Sequence, residues 1–156
     1  TPVEAVQIGC CWISDIGETD GLQDLIQEGL DAVPEQNYEE VAGAGAFVSM
    51  TAWKLFLDVE YIAATEEFEP TILGEEALRP AAWNAELAFH SGERWEAAAK
   101  VEGSQDFPEF PKRQYGVAVA TAITDSAALA VEYLHGEYDG GMPDRNMATC
   151  QLSLEF

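Results

Sequence analysis

The chain has 156 residues, 47% of them hydrophobic, which suits one folded domain over residues 1–156 and excludes a disordered polymer. Its 29 acids against 7 bases give a formal charge of −22, which excludes nucleic acid as a partner because phosphate binding needs a basic surface. No stretch reaches the roughly 18 consecutive apolar residues of a transmembrane helix.

Eight stretches read as strands, because apolar and polar side chains alternate along them with a period of two. The first, Val3 to Ser14, sets Val6, Ile8, Cys10 and Trp12 on one face. A long connection, Asp15 to Glu40, follows. Within it Leu22, Leu25, Ile26 and Leu30 have the spacing of a short amphipathic helix, with Thr19 or Asp20 as its cap, expected to cover a barrel mouth. The second strand, Val41 to Ala52, is rich in Gly and Ala, and its facing stays open. The third, Lys54 to Ala63, sets Leu55, Leu57, Val59 and Tyr61 against Phe56, Asp58, Glu60 and Ile62. The fourth, Ala82 to His90, sets Trp83, Ala85, Leu87 and Phe89 against Asn84, Glu86, Ala88 and His90.

The fifth strand, Trp95 to Ser104, sets Trp95, Ala97, Ala99 and Val101 against Glu96, Ala98, Lys100 and Glu102. Helix propensity is also high over Glu93 to Val101, but the alternation and the hairpin spacing on both sides favour a strand. The sixth, Gln114 to Thr124, puts Tyr115, Val117, Val119 and Ile123 opposite Gly116, Ala118, Ala120 and Ala122. The seventh, Ala127 to Gly136, puts Leu129, Val131 and Tyr133 opposite Ala128, Ala130, Glu132 and Leu134. The eighth, Met147 to Phe156, puts Ala148, Cys150, Leu152, Leu154 and Phe156 on an apolar face.

Short and long connections alternate. Tight hairpins are expected around Ala52-Trp53-Lys54, Ser91-Gly92-Glu93-Arg94 and Thr124-Asp125-Ser126, while the connections after strands one, three, five and seven are long. That asymmetry, with an even strand count, is the pattern of an outer-membrane barrel with short periplasmic turns and long outer loops. The expected fold is therefore all-β: an antiparallel up-and-down transmembrane β-barrel with eight strands in this chain, complete or part of a larger barrel, and a short helix in the first long loop.

Two sets of side chains follow from the alternation. Trp12, Tyr61, Trp83, Phe89, Trp95, Tyr115, Tyr133 and Phe156 fall on the apolar face, mostly near strand ends, as membrane-interface aromatics do. The outward faces of strands three to eight carry no charge in their central stretches, where Arg or Lys would cost about 2–4 kcal/mol in a bilayer. Asp58, Glu60, Glu86, Glu96, Glu102, Glu132 and Glu155 fall on the other face with Lys100 as the single base, and would line a lumen. An eight-stranded barrel is just wide enough to be filled by side chains. These acids fit it only if some are protonated, cations bind, or water enters, and the many inward Gly and Ala leave volume for water. Such a lumen favours cations.

Other chemistry has little footing. Three cysteines make no complete disulfide framework, and Cys10 and Cys11, facing opposite ways, cannot both meet Cys150. A Cys10–Cys150 or Cys11–Cys150 bridge would be a test of barrel closure. No metal motif or cofactor site is expected. The acids Asp15, Glu18, Asp20 and Asp24 in the first loop, and Asp139 and Asp144 in the last, are oxygen donors that could bind Ca²⁺, but neither loop matches an EF-hand pattern and solvated acids are the better account. No nucleophilic triad, phosphate loop or HExxH is present, and the chain is not expected to be an enzyme.

Several segments resemble the LbtU family of siderophore porins. They are Ile13-Ser14-Asp15 through Thr19-Asp20-Gly21-Leu22-Gln23-Asp24, Ala82-Trp83-Asn84-Ala85-Glu86-Leu87-Ala88-Phe89, Tyr115-Gly116-Val117-Ala118, Ala130-Val131-Glu132-Tyr133-Leu134-His135 and Gln151-Leu152-Ser153-Leu154-Glu155-Phe156. The likeness spans most of the chain as a pattern of strands and turns, and looks like the carboxy-terminal part of longer members. It implies an outer-membrane protein of siderophore-dependent iron uptake, here a compact relative, a fragment, or a barrel completed by other chains. The expected function is passage or binding of cationic solutes or metal chelates of siderophore type through an acidic lumen in the bacterial outer membrane. Lipid and the solute would be its partners, with a homo-oligomer or additional barrel chains as further ones. The alternatives are a non-conducting structural or interaction barrel with acidic loops, and a soluble ligand-binding β-barrel.

Overall fold

In a computed structural model, residues 5–32, 39–70, 72, 73, 76–92, 94–107 and 110–154 are described. Eight antiparallel strands form one sheet in chain order: β1 (Ala5–Ile13), β2 (Gly43–Ala52), β3 (Leu55–Ala64), β4 (Ala81–Ser91), β5 (Trp95–Gln105), β6 (Arg113–Thr124), β7 (Ala127–Glu137) and β8 (Arg145–Leu154). Their ends differ from the alternation-based expectation by no more than two residues. They hold 9 to 12 residues each, close to the roughly 9–11 of a tilted bilayer crossing. Helix α1 (Asp20–Ala32) lies in the first long connection. No helix among the described residues is long and apolar enough to cross a membrane.

The register carries each face across the whole sheet. One row joins Ile8, Val48, Val59, Ala85, Val101, Tyr115, His135 and Asn146. The next joins Gln7, Ser49, Asp58, Glu86, Lys100, Gly116, Leu134 and Met147. Apolar and carboxylate-bearing rows thus stay on opposite faces, because paired residues share a face. Leu152 is 59% exposed and Val131 49%, whereas Glu86 and Glu132 are half-buried. The facing of β2 is now fixed. Phe47 pairs with Gly9 and Glu60 and so lies on the carboxylate face, its ring filling the space above Gly9.

Short turns are as tight as expected. Trp53 turns β2 into β3 with φ of 58°, a left-handed conformation that is uncommon outside Gly, and the Lys54 amine sits 5.6 Å from its ring centre. Between β6 and β7 the register shifts by one residue at Ala122/Thr124, a β-bulge beside the Asp125-Ser126 turn.

The strands β1 and β8 are not paired, so the sheet is open, as part of a barrel or as an open sheet. All three cysteines are free and exposed; no bridge marks closure. The register puts Cys10 and Cys150 on the apolar face and Cys11 on the carboxylate face.

The buried core lies beside the sheet rather than along it. Leu22 and Ile26 of α1 pack with Ile16, Val41, Ala64, Phe68, Ile72 and Leu73, and with half-buried Ile62 and Phe107. Ile62 and Ala64 belong to the carboxylate side at the long-loop end of β3, so the helix covers that end of the face. Thr19 stands at the N-cap position, though without a side-chain cap. The Thr19 carbonyl accepts the first helical N–H groups, from Leu22 and Gln23 at 2.9 Å each, but its hydroxyl donates back to the Ile16 carbonyl at 2.7 Å. The Asp20 side chain lies outside the described residues.

Candidate functional site

The carboxylate face is built from cross-strand neighbours. Asp58, Glu60, Glu86, Glu96, Lys100, Glu102 and Glu132 all lie on it, while Glu155 is outside the described residues. Most of these acids meet a partner on another strand. Asp58 accepts a hydrogen bond from the Ser49 hydroxyl, and Glu102 accepts one from the Gln114 amide. Glu96 Oε2 lies 2.9 Å from His90 Nε2, and the His90 ring packs against Phe56, with centroids 4.4 Å apart and planes tilted by 52°. Like charges on one face repel, and these contacts supply the carboxylates with hydrogen-bond partners, while charge neutralisation needs a cation.

Lys100 does most of that neutralising. Its ammonium lies 3.1 Å from Glu132 and 3.9 Å from Glu102. Reaching Glu132 takes the side chain from β5 over β6 to β7, across Gly116. A Cβ at Gly116 would lie 2.7 Å from Lys100 Cγ and from Leu134 Cδ2. The glycine is therefore the floor on which the Lys100 stem rests, beside buried Leu134. The side chains of Glu60 and Glu86 have no hydrogen bond or ion pair among the described residues.

The other face presents Trp12, Tyr61, Trp83, Phe89, Trp95, Tyr115 and Tyr133, all at least one-third exposed; Phe156 is outside the described residues. Tyr61 and Trp83 are direct cross-strand partners toward the long-loop end, and Phe89 and Trp95 lie toward the short turns. Trp53 joins the second group, its ring 6.2 Å from Phe89. Alternation did not reveal Trp53, because it lies in a turn. Between these groups the face carries no Asp, Glu, Lys or Arg, and its charged residues, Arg113 and Glu137, form one pair at the long-loop end.

A cleft of about 490 Å³ opens beside the carboxylate face, under Phe107 and Phe110 of the loop after β5. Glu60, Asn84 and Glu102 line it with Phe47. Phe47, Phe107 and Phe110 escaped the sequence reading, since β2 gave no contrast between faces and the loop has no period.

The loop acids, for which Ca²⁺ ligation is the lesser of two sequence readings, are described except for the Asp20 side chain. Among the described residues no three His, Cys, Asp or Glu groups are placed to hold a metal ion. Asp15 Oδ1 is buried and accepts from the Gly17 N–H at 2.9 Å, and Asp139 pairs with Lys112 at 2.9 Å. Asp15 and Asp139 thus each answer a local donor.

No family model, no curated protein and no solved structure matches the chain.

Proposed function

We propose that this chain supplies contiguous strands of an outer-membrane β-barrel, and that its acidic interior binds or passes cationic solutes or metal chelates of siderophore type. One observation carries the reading. An apolar face, with Val117 57% exposed in the middle of β6, runs across all eight strands and carries no Asp, Glu, Lys or Arg in its central stretch, its charged pair Arg113 and Glu137 lying at the long-loop end. In water such a face would be an aggregation surface; against hydrocarbon it is the stable orientation. The aromatic residues toward both strand ends suit the headgroup level. Excess carboxylate on the opposite face supports preference for cations. The siderophore class of solute rests on the family resemblance alone.

The test combines fold and conductance. The chain is refolded into detergent and run unboiled and boiled on a gel, then reconstituted into planar bilayers. Heat-dependent mobility and cation-selective conductance are expected. A monodisperse, folded protein without detergent would overturn the membrane assignment.

A second reading, a non-conducting structural or interaction barrel, draws on a specific feature. Lys100 and buried Leu134 occupy the middle of the carboxylate face, and α1 covers its long-loop end. Heat-dependent mobility without conductance would select it. The soluble ligand-binding barrel would instead enclose its apolar side chains.

A further inference from the structure

We infer that the cleft under Phe107 and Phe110 is a binding site for a primary ammonium ion carried on an aromatic body. Its volume of about 490 Å³ lies within the range of small-ligand sites, roughly 300–1,000 Å³. Phe47 forms one wall, and Phe107 and Phe110, whose rings meet at 4.4 Å, form the cover. Helix α1 leans on that cover: a Cβ at Gly21 would lie 3.3 Å from the Phe107 ring.

The polar groups of the cleft favour a cationic donor. Glu60, Asn84 and Glu102 are successive members of one row on β3, β4 and β5, so neighbouring Cβ atoms are about 5 Å apart. Glu102 is already engaged by Gln114 and Lys100. The Glu60 side chain has no partner among the described residues, and Asn84 Oδ1 is buried with none. Among the described residues no Lys, Arg or His lines the cleft. What is missing is positive charge with N–H donors, and the aromatic walls attract the same kind of group through their π faces.

Competing ligand classes fit less well. An inorganic cation would leave three aromatic rings unused, and among the described residues no three acids are grouped to coordinate it. A quaternary ammonium would carry the charge but give Asn84 no hydrogen. An anion would meet two carboxylates.

The site deepens the proposal of an acidic, cation-binding interior and rests on it, yet it needs neither barrel closure nor conductance. The full chain is folded in detergent, checked by unboiled gel mobility, and titrated calorimetrically with 2-phenylethylammonium chloride. Binding at least tenfold tighter than that of 2-phenylethanol or phenylacetate is expected. Glu60→Gln should weaken it at least fivefold, and Phe107→Ala similarly. A second readout uses Cys11, which also lines the cleft. In a Cys10→Ser/Cys150→Ser background the amine should slow Cys11 alkylation at least threefold. Equal binding of amine and alcohol by folded protein, with Cys11 unprotected, overturns the site and leaves the membrane reading standing. Should the protein fold without detergent, the same titration in buffer decides the site while the membrane reading falls.

Discussion

Lys100 Nζ lies 3.1 Å from Glu132 Oε1, although β5 and β7 are not neighbours in the sheet. The contact exists because Gly116 on the intervening strand has no side chain to block it. Replacing Gly116 by Val fills that space and must move either the Lys100 stem or Leu134. Overpacking of this kind costs about 1–3 kcal/mol. Gly116→Val is therefore expected to lower stability by that amount in urea titrations of the detergent-folded chain. Lys100→Met keeps the stem and removes the charge, leaving Glu132 and Glu102 facing each other. A comparable loss of about 1–3 kcal/mol is expected, since the removed group served two half-buried acceptors. Equal stability of both variants and the parent would show that the ion pair is incidental.

Orientation of the sheet predicts opposite outcomes for one substitution on its two faces. Leu87 is 47% exposed in the middle of β4, with Leu57 and Ala99 beside it. On a water-exposed surface, Leu87→Arg would be nearly neutral. Against hydrocarbon it costs about 2–4 kcal/mol. The larger cost is expected, measured as loss of the heat-modifiable gel form and of folding into vesicles. Thr149→Arg, on the carboxylate face opposite Glu132, should be tolerated and should lower any cation selectivity.

How far the sequence reached depended on contrast between neighbours. In β3, β4 and β8 apolar and polar residues alternate, and in β6 large apolar residues alternate with Gly and Ala, so the strands and their faces follow from period two. Leu22, Leu25, Ile26 and Leu30 likewise announce α1. In β2 the run Gly43-Ala44-Gly45-Ala46 has no contrast, so Phe47 could be assigned only once its register with Gly9 and Glu60 was known. Phe107 and Phe110 come to the cleft through a loop, and loops carry no periodic signal. Closure is a property of strand edges, about which side-chain alternation says nothing; β1 and β8 remain unpaired.

Those free edges make a cysteine prediction. Cys10 and Cys150 face the apolar side and Cys11 the other. If β1 and β8 meet, only Cys10 can approach Cys150 on the same face. In a Cys11→Ser variant, a short bis-maleimide is expected to join Cys10 to Cys150. In a Cys10→Ser variant the yield should fall severalfold. Crosslinking within one chain would mean self-closure, and crosslinked dimers would mean that a second copy fills the edge. Equal yields from both variants would contradict the facing of β1.

The helix cover makes the last prediction. Leu22 is 1% exposed and sits among Ile16, Val41, Phe68 and other core residues that join α1 to the long-loop end. Leu22→Ala leaves a cavity and is expected to cost about 2–5 kcal/mol. That loss should be local, because the strands are held by their own ladders and α1 contacts the sheet mainly through this cluster. Proteolysis within α1 should therefore accelerate while the heat-modifiable gel form persists. If the helix also obstructs the interior, Leu22→Asp, which buries a charge in the same cluster, should raise conductance at least severalfold. Faster cleavage with unchanged conductance would assign the obstruction to Lys100 and Leu134 at mid-sheet instead, and Lys100→Ala should then be the variant that conducts.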